Sequence, residues 1–100
     1  PELALLYHVP NGGSRNKIEA ARLRAQGVKS GVPDLCLPVA RGGNHGLYIE
    51  LKRQRGGRIS EEQVRWIDGL LEQGYAAAIC KGWQEAADEI IDYLRRETEG

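Results

Sequence analysis

Two short apolar runs, residues 34–39 and 47–53, flank the Gly-rich stretch Ala40-Arg41-Gly42-Gly43-Asn44-His45-Gly46, which restricts the centre of the chain to a β-hairpin. Side chains alternate faces along a strand, so Leu47, Ile49 and Leu51 take one side and Glu50 and Lys52 the other. Pairing Val39 with Leu47 would set Asp34 opposite Lys52 and diagonal to Glu50, with roughly 7–8 Å between the backbones. Two carboxylates at that spacing can reach one cation. The inference depends on register, because a slip of one residue would send the two acids to opposite faces.

The flanking segments supply the rest of an α/β pattern. Residues 3–9 read as a strand closed by the turn Pro10-Asn11-Gly12-Gly13. Ser14 can cap a helix running to Gln26, with Ile18, Ala21 and Ala25 on one face and Gly27 at its end. Arg15, Lys17, Arg22 and Arg24 occupy its other faces, either as an ordinary solvated surface or as phosphate contacts. Ser60 and Gln63 have the spacing of a capping box, and Ile59 and Val64 that of the accompanying apolar staple. The helix that starts there carries Trp66, Ile67, Leu70 and Leu71 and stops at Gly74. Residues 75–80 predict a strand buried on both faces, and residues 83–95 a last helix with Ala86, Ala87, Ile90, Ile91 and Leu94 at helical spacing.

One hundred residues, 41% hydrophobic and 28% charged, fit a single domain spanning residues 1–100. No apolar run approaches the roughly 18 residues that cross a bilayer, and the first residues lack a signal peptide's pattern, so the expected compartment is the cytoplasm, away from membranes. Cys36 and Cys80 stand far apart in apolar segments, without the paired spacing of a zinc site, and are expected to be reduced and buried. The net charge is zero, yet residues 1–58 hold ten Lys/Arg against four Asp/Glu, and residues 59–100 hold four against ten. Such asymmetry suits either a polyanion-facing surface or two halves that attract one another.

Phosphodiester hydrolysis needs a nucleophilic water near neutral pH, stabilisation of charge on the phosphorus centre, and help for the leaving oxygen. A carboxylate-held divalent cation serves all three needs. Asp34 and Glu50 are hard oxygen ligands of the kind Mg²⁺ or Mn²⁺ prefers, and the backbone carbonyl of Leu51 could add a third. Lys52 would present a compact positive charge to the attacking water or the scissile phosphate. Each fragment alone is equally a strand start after a proline or a solvated Glu-x-Lys ladder. Their order and common facing give the combination more weight.

Gly31-Val32-Pro33-Asp34, Tyr48-Ile49-Glu50-Leu51-Lys52-Arg53, Gly56-Gly57, and Ser60, Gln63 and Trp66 at three-residue intervals are together similar to the VRR-NUC (virus-type replication-repair nuclease) family of the PD-(D/E)XK nuclease superfamily. Pro10-Asn11-Gly12-Gly13 and Arg15 match the same pattern, so the resemblance covers residues 7–94. It implies a restriction-endonuclease-like α/β core, a small mixed β-sheet flanked by helices. It also implies a Mg²⁺- or Mn²⁺-dependent endonuclease acting on Holliday-junction or other branched DNA in replication, recombination or repair, and assembling as a homodimer. Carried onto this chain, it makes Asp34 and Glu50 the metal ligands, Lys52 the catalytic lysine, and Gln63 a neighbour of the site.

In the superfamily a Glu on a helix before the first strand commonly completes the metal site. Glu19 could substitute for it or simply pair with Lys17 or Arg22. The alternative is therefore a catalytically weak or inactive DNA-binding module with the nuclease fold. Arg15, Arg41, Arg53, Arg55 and Arg58 are the candidate contacts to the DNA backbone, since guanidinium groups suit phosphate. His8 could approach the scissile phosphate or be a plain strand residue, and His45 is expected to be exposed. Trp66 and Trp83 are expected in the core or at a dimer contact, because stacking on DNA would require them exposed on the basic side.

Overall fold

The computed structural model describes residues 1–10, 21–22, 25–27 and 29–98. The Asn11-Gly12-Gly13 turn, the Ser14 cap, Arg15, Lys17, Glu19 and Arg24 lie outside the described residues. Among the described residues four strands, β1 (Tyr7–His8), β2 (Leu35–Leu37), β3 (Leu47–Lys52) and β4 (Ala76–Lys81), form one sheet in that spatial order. The first three are antiparallel, and β4 runs parallel to β3. The return from β3 to β4 passes through helix α1 (Glu61–Glu72), and α2 (Gly82–Leu94) follows β4 directly.

The expected first strand is mostly absent. Residues Glu2–Leu5 form a 3₁₀ turn, with Ala4 N–H bonded to the Pro1 carbonyl and Leu6 N–H to the Leu3 carbonyl. With Tyr7 opposite Cys36, continuing the register would bring Leu5 to Pro38, which has no N–H to offer. The backbone satisfies itself locally instead. Pro38 also ends β2 early, at Leu37.

The central hairpin forms with Leu37 opposite Leu47 and Leu35 opposite Ile49, two residues away from the expected register. A two-residue shift preserves the faces. The cause is the connector, which makes a tight turn of its own: Arg41 and Asn44 exchange backbone hydrogen bonds of 3.1 and 2.8 Å around Gly42 and Gly43, both at positive φ. Leu35, Leu37, Leu47 and Ile49 are buried on one face beneath Ala86, Ile90 and Tyr93 of α2, which recur at helical spacing and form a single apolar stripe. The Tyr93 hydroxyl donates 2.6 Å to the Val39 carbonyl, tying α2 to the hairpin.

The predicted capping box is present. Ser60 Oγ accepts the Gln63 N–H at 3.1 Å, and Gln63 Oε1 accepts the Ser60 N–H at 2.9 Å. Expected burial of residues 75–80 on both faces is corrected: β4 lies at the sheet edge, and within it only Cys80 is buried while Ile79 is exposed. Of the basic helix, residues 21, 22 and 25 are helical, and the Gln26 N–H bonds to the Arg22 carbonyl.

Candidate active site

Asp34 is positioned by the residues just before it. Pro33 is fully buried, and Gly31 sits at φ 88°, so close to α1 that a Cβ there would lie 2.8 Å from the Glu62 backbone carbon. Any other residue would push this segment off the helix. The Asp34 carbonyl accepts the Val9 N–H at 2.7 Å, which continues the β1–β2 pairing. Extending the observed register by one residue places Asp34 directly opposite Glu50, nearer than the diagonal expected from sequence.

The side chains then converge. Asp34 Oδ2 accepts the Leu51 N–H at 2.8 Å. In an extended strand the N–H and C=O of one residue leave on the same edge, so the Leu51 carbonyl also lies on the Asp34 side. Glu50 is only 3% exposed. Burial pushes its carboxyl up to about 8, assisted by a hydrogen bond with Asp34 and by the Asp34 charge, while Lys52 pulls the other way. Lys52 Nζ stands 4.0 Å from Glu50 Oε2 and donates 2.8 Å to Gln63 Oε1. That oxygen is the same one that closes the capping box, so Gln63 both fixes the start of α1 and steadies the lysine.

Two hard carboxylates, one of them buried, with a backbone carbonyl on the same edge, suit a small divalent cation. Among the described residues Lys52 is the cation paired with Glu50, at 4.0 Å. Among the described residues no group of three or more His, Cys, Asp or Glu side chains could hold a metal, so a third carboxylate is not contributed by them. Asp34, Glu50 and the Leu51 carbonyl are the donors that would hold such an ion.

The candidate DNA contacts divide sharply. Arg53, Arg55 and Arg58 are exposed in the segment after β3 and form no ion pair among the described residues. Arg41 lies at the opposite end of the hairpin, with its side chain 3.0 Å from Glu2 Oε2, 2.8 Å from the Ala40 carbonyl and 3.4 Å from the Leu94 carbonyl. Arg15 lies outside the described residues. His8 and His45 are both exposed, as expected for His45, whose ring also meets Tyr75 edge-on at 5.6 Å. Cys36 and Cys80 are free and buried, as expected.

Three features were missed from the sequence. Tyr7 and Tyr48 flank Cys36 in one row across β1, β2 and β3, on the face that carries Glu50. Tyr48 also meets Tyr75 edge-on at 5.5 Å. Burial, with contact to Cys36, holds the Tyr48 phenol well above its ordinary value. Lys81 is the register partner of Lys52 and lies on the same face. Trp83 is neither in the core nor packed away, at 68% exposure. A signal for Lys81 was present, since parallel pairing of two strands both ending in Lys brings their ends together.

The family model of the VRR-NUC domain matches residues 3–84. The chain belongs to the VRR-NUC family. A solved structure described as a "VRR_NUC domain protein" is 33% identical, covering 98% of this chain and 74% of its own, with a TM-score of 0.82. No curated protein matches the chain. VRR-NUC membership identifies a nuclease-type domain, and the small mixed sheet with its helices is the α/β fold of the solved VRR-NUC relative. No helix among the described residues is long and apolar enough to cross a membrane.

Proposed function

We propose that residues 1–100 act as one nuclease domain, a Mg²⁺- or Mn²⁺-dependent DNA endonuclease that hydrolyses phosphodiester bonds in branched DNA and works as a homodimer. The observation that carries this reading is the meeting of Asp34, Glu50 and Lys52 at the open end of the β2–β3 hairpin, with Lys52 held by Gln63. Asp34 and Glu50, with the Leu51 carbonyl, are the groups that would hold the cation. When bound, the cation lowers the pKa of a water and offsets charge on the phosphate.

The chain's own residues do the remaining work. Lys52 presents its ammonium beside Glu50, where it can hold the nucleophilic water or a phosphate oxygen, and Gln63 keeps that ammonium from swinging into solvent. The Leu51 N–H fixes the Asp34 carboxylate against the strand. Arg53, Arg55 and Arg58 offer guanidinium groups to the DNA backbone next to the cleavage point. A two-fold dimer would place two such sites on one branched substrate.

A second reading is a DNA-binding module with weak or no cleavage, since Glu19, the candidate for a third acid, lies outside the described residues. Labelled four-way junction, flap and linear duplex incubated with the protein in Mn²⁺ distinguish the two. The leading reading expects metal-dependent cuts that Asp34→Ala abolishes. Salt-sensitive binding without any cut, identical in parent and variant, would establish the second reading instead.

A further inference from the structure

Trp83 is the most exposed large apolar side chain among the described residues, at 68%. An exposed indole has an apolar face and a polar N–H, the combination that suits Trp to recognition surfaces. The place of Trp83 in the fold defines what it would recognise. It is the second residue of α2, immediately after β4, and because β4 runs parallel to β3 with Lys81 beside Lys52, it leaves the sheet at the same end as the acid pair. The turn into α2 also packs on the segment after β3: a Cβ at Gly82 would stand 3.1 Å from Gln54 Nε2. Gln54 lies between Arg53 and Arg55, so the residue just before Trp83 meets the arginine-bearing segment.

The surface around it is cationic up to Trp83 and anionic beyond it. Lys81, Arg53, Arg55 and Arg58 are all exposed. Glu85 turns back on the chain, its Oε1 accepting the Lys81 N–H at 2.9 Å, and Asp88, Glu89 and Asp92 follow along α2. This order of charges favours a polyanion on the basic side of Trp83 over one along α2. An aromatic face at the end of a phosphate track is suited to a nucleobase, and only an unstacked base exposes its own face to it. A base within continuous duplex is already covered by its neighbours.

We infer that Trp83 is a stacking residue for an unpaired nucleobase next to the cleavage point, and that it helps select DNA carrying unpaired nucleotides over continuous duplex. This rests on the nuclease reading above. Charge complementarity and continuity with the Asp34, Glu50 and Lys52 cluster favour nucleic acid over a second copy of the chain as the occupant.

The test uses the full chain in EDTA, with a forked duplex bearing unpaired thymidine arms and a continuous duplex of equal length as probes, read by fluorescence anisotropy. Trp83→Ala is expected to lower the ratio of fork affinity to duplex affinity about tenfold, and Trp83→Phe to restore most of it. In a Trp66→Phe background, Trp83 emission is expected to be quenched by the fork. An unchanged affinity ratio in Trp83→Ala, with parent cleavage of branched DNA intact, would overturn the inference while leaving the nuclease reading standing. So would a Trp83 emission shift that follows protein concentration without DNA, which would assign the indole to a contact between copies. A parent that neither binds nor cuts any DNA would defeat both.

Discussion

The two ends of the β2–β3 hairpin carry the same kinds of residue and use them differently. At the turn end, Arg41 is engaged by Glu2 and by the Ala40 and Leu94 carbonyls, and Tyr93 holds the Val39 carbonyl. Each of these groups finds its partner inside the chain. At the open end, Asp34 and Glu50 face one another beside Lys52, which stands 4.0 Å from Glu50, and Arg53, Arg55 and Arg58 project into solvent. Burial and the Asp34 charge favour the protonated form of Glu50, and ionising it costs stability unless a cation joins the pair. The contrast teaches that residue type alone does not mark a site; two carboxyl groups brought together with exposed cations beside them do.

Breaking the open end should have the largest effect. Lys52→Ala is expected to lower the metal-dependent cleavage rate about 10²–10³-fold, the loss typical of removing one positioned charge or donor, with little change in the circular dichroism spectrum. A rate within threefold of the parent would remove Lys52 from the chemistry.

Glu50 gives the next effect, in stability. Because its carboxyl is raised from 4.5 to about 8, the folded chain holds a proton between those values that the unfolded chain has lost. Stability is therefore expected to fall as pH rises from about 5 to 8. Glu50→Gln, which mimics the protonated acid, should remove that slope and be more stable than the parent at pH 8 by on the order of 2 kcal/mol, allowing for partial screening by Lys52 and relaxation of the site. Urea melts at several pH values measure this, and parallel pH dependences in parent and variant would contradict it.

The turn end should give the smallest effect. Arg41→Ala is expected to cost about 1 kcal/mol through lost hydrogen bonds to Glu2 and two carbonyls, leaving the cleavage rate per folded molecule near that of the parent. A rate loss comparable to that of Lys52→Ala would erase the distinction between the two ends.

Much of this was legible in the sequence because it rests on local rules. The capping box at Ser60 and Gln63, the apolar stripe of α2, and the shared face of Glu50 and Lys52 follow from spacing alone. The family resemblance was legible too, because Gly31, Pro33 and Asp34 form a unit whose glycine is required by close contact with α1. What sequence did not give is set by tertiary context. Register slipped by two because Pro38 and the Gly42-Gly43 turn lengthened the connector. The first strand yielded to a 3₁₀ turn for want of a partner. The second role of Gln63 as an anchor for Lys52 and the exposure of Trp83 depend on how β3, α1 and β4 come together. The roles of Arg15 and Glu19 fall on residues outside those described.

The central claim is that Asp34 and Glu50 share one divalent cation, and titration calorimetry with Mn²⁺ at pH 7 tests it most directly. The parent is expected to bind Mn²⁺ at one locus with release of a proton from Glu50, seen as an apparent enthalpy that varies with the ionisation heat of the buffer, and Asp34→Asn is expected to lose that binding. Binding of equal affinity and proton release in Asp34→Asn, or no binding by the parent, would contradict it.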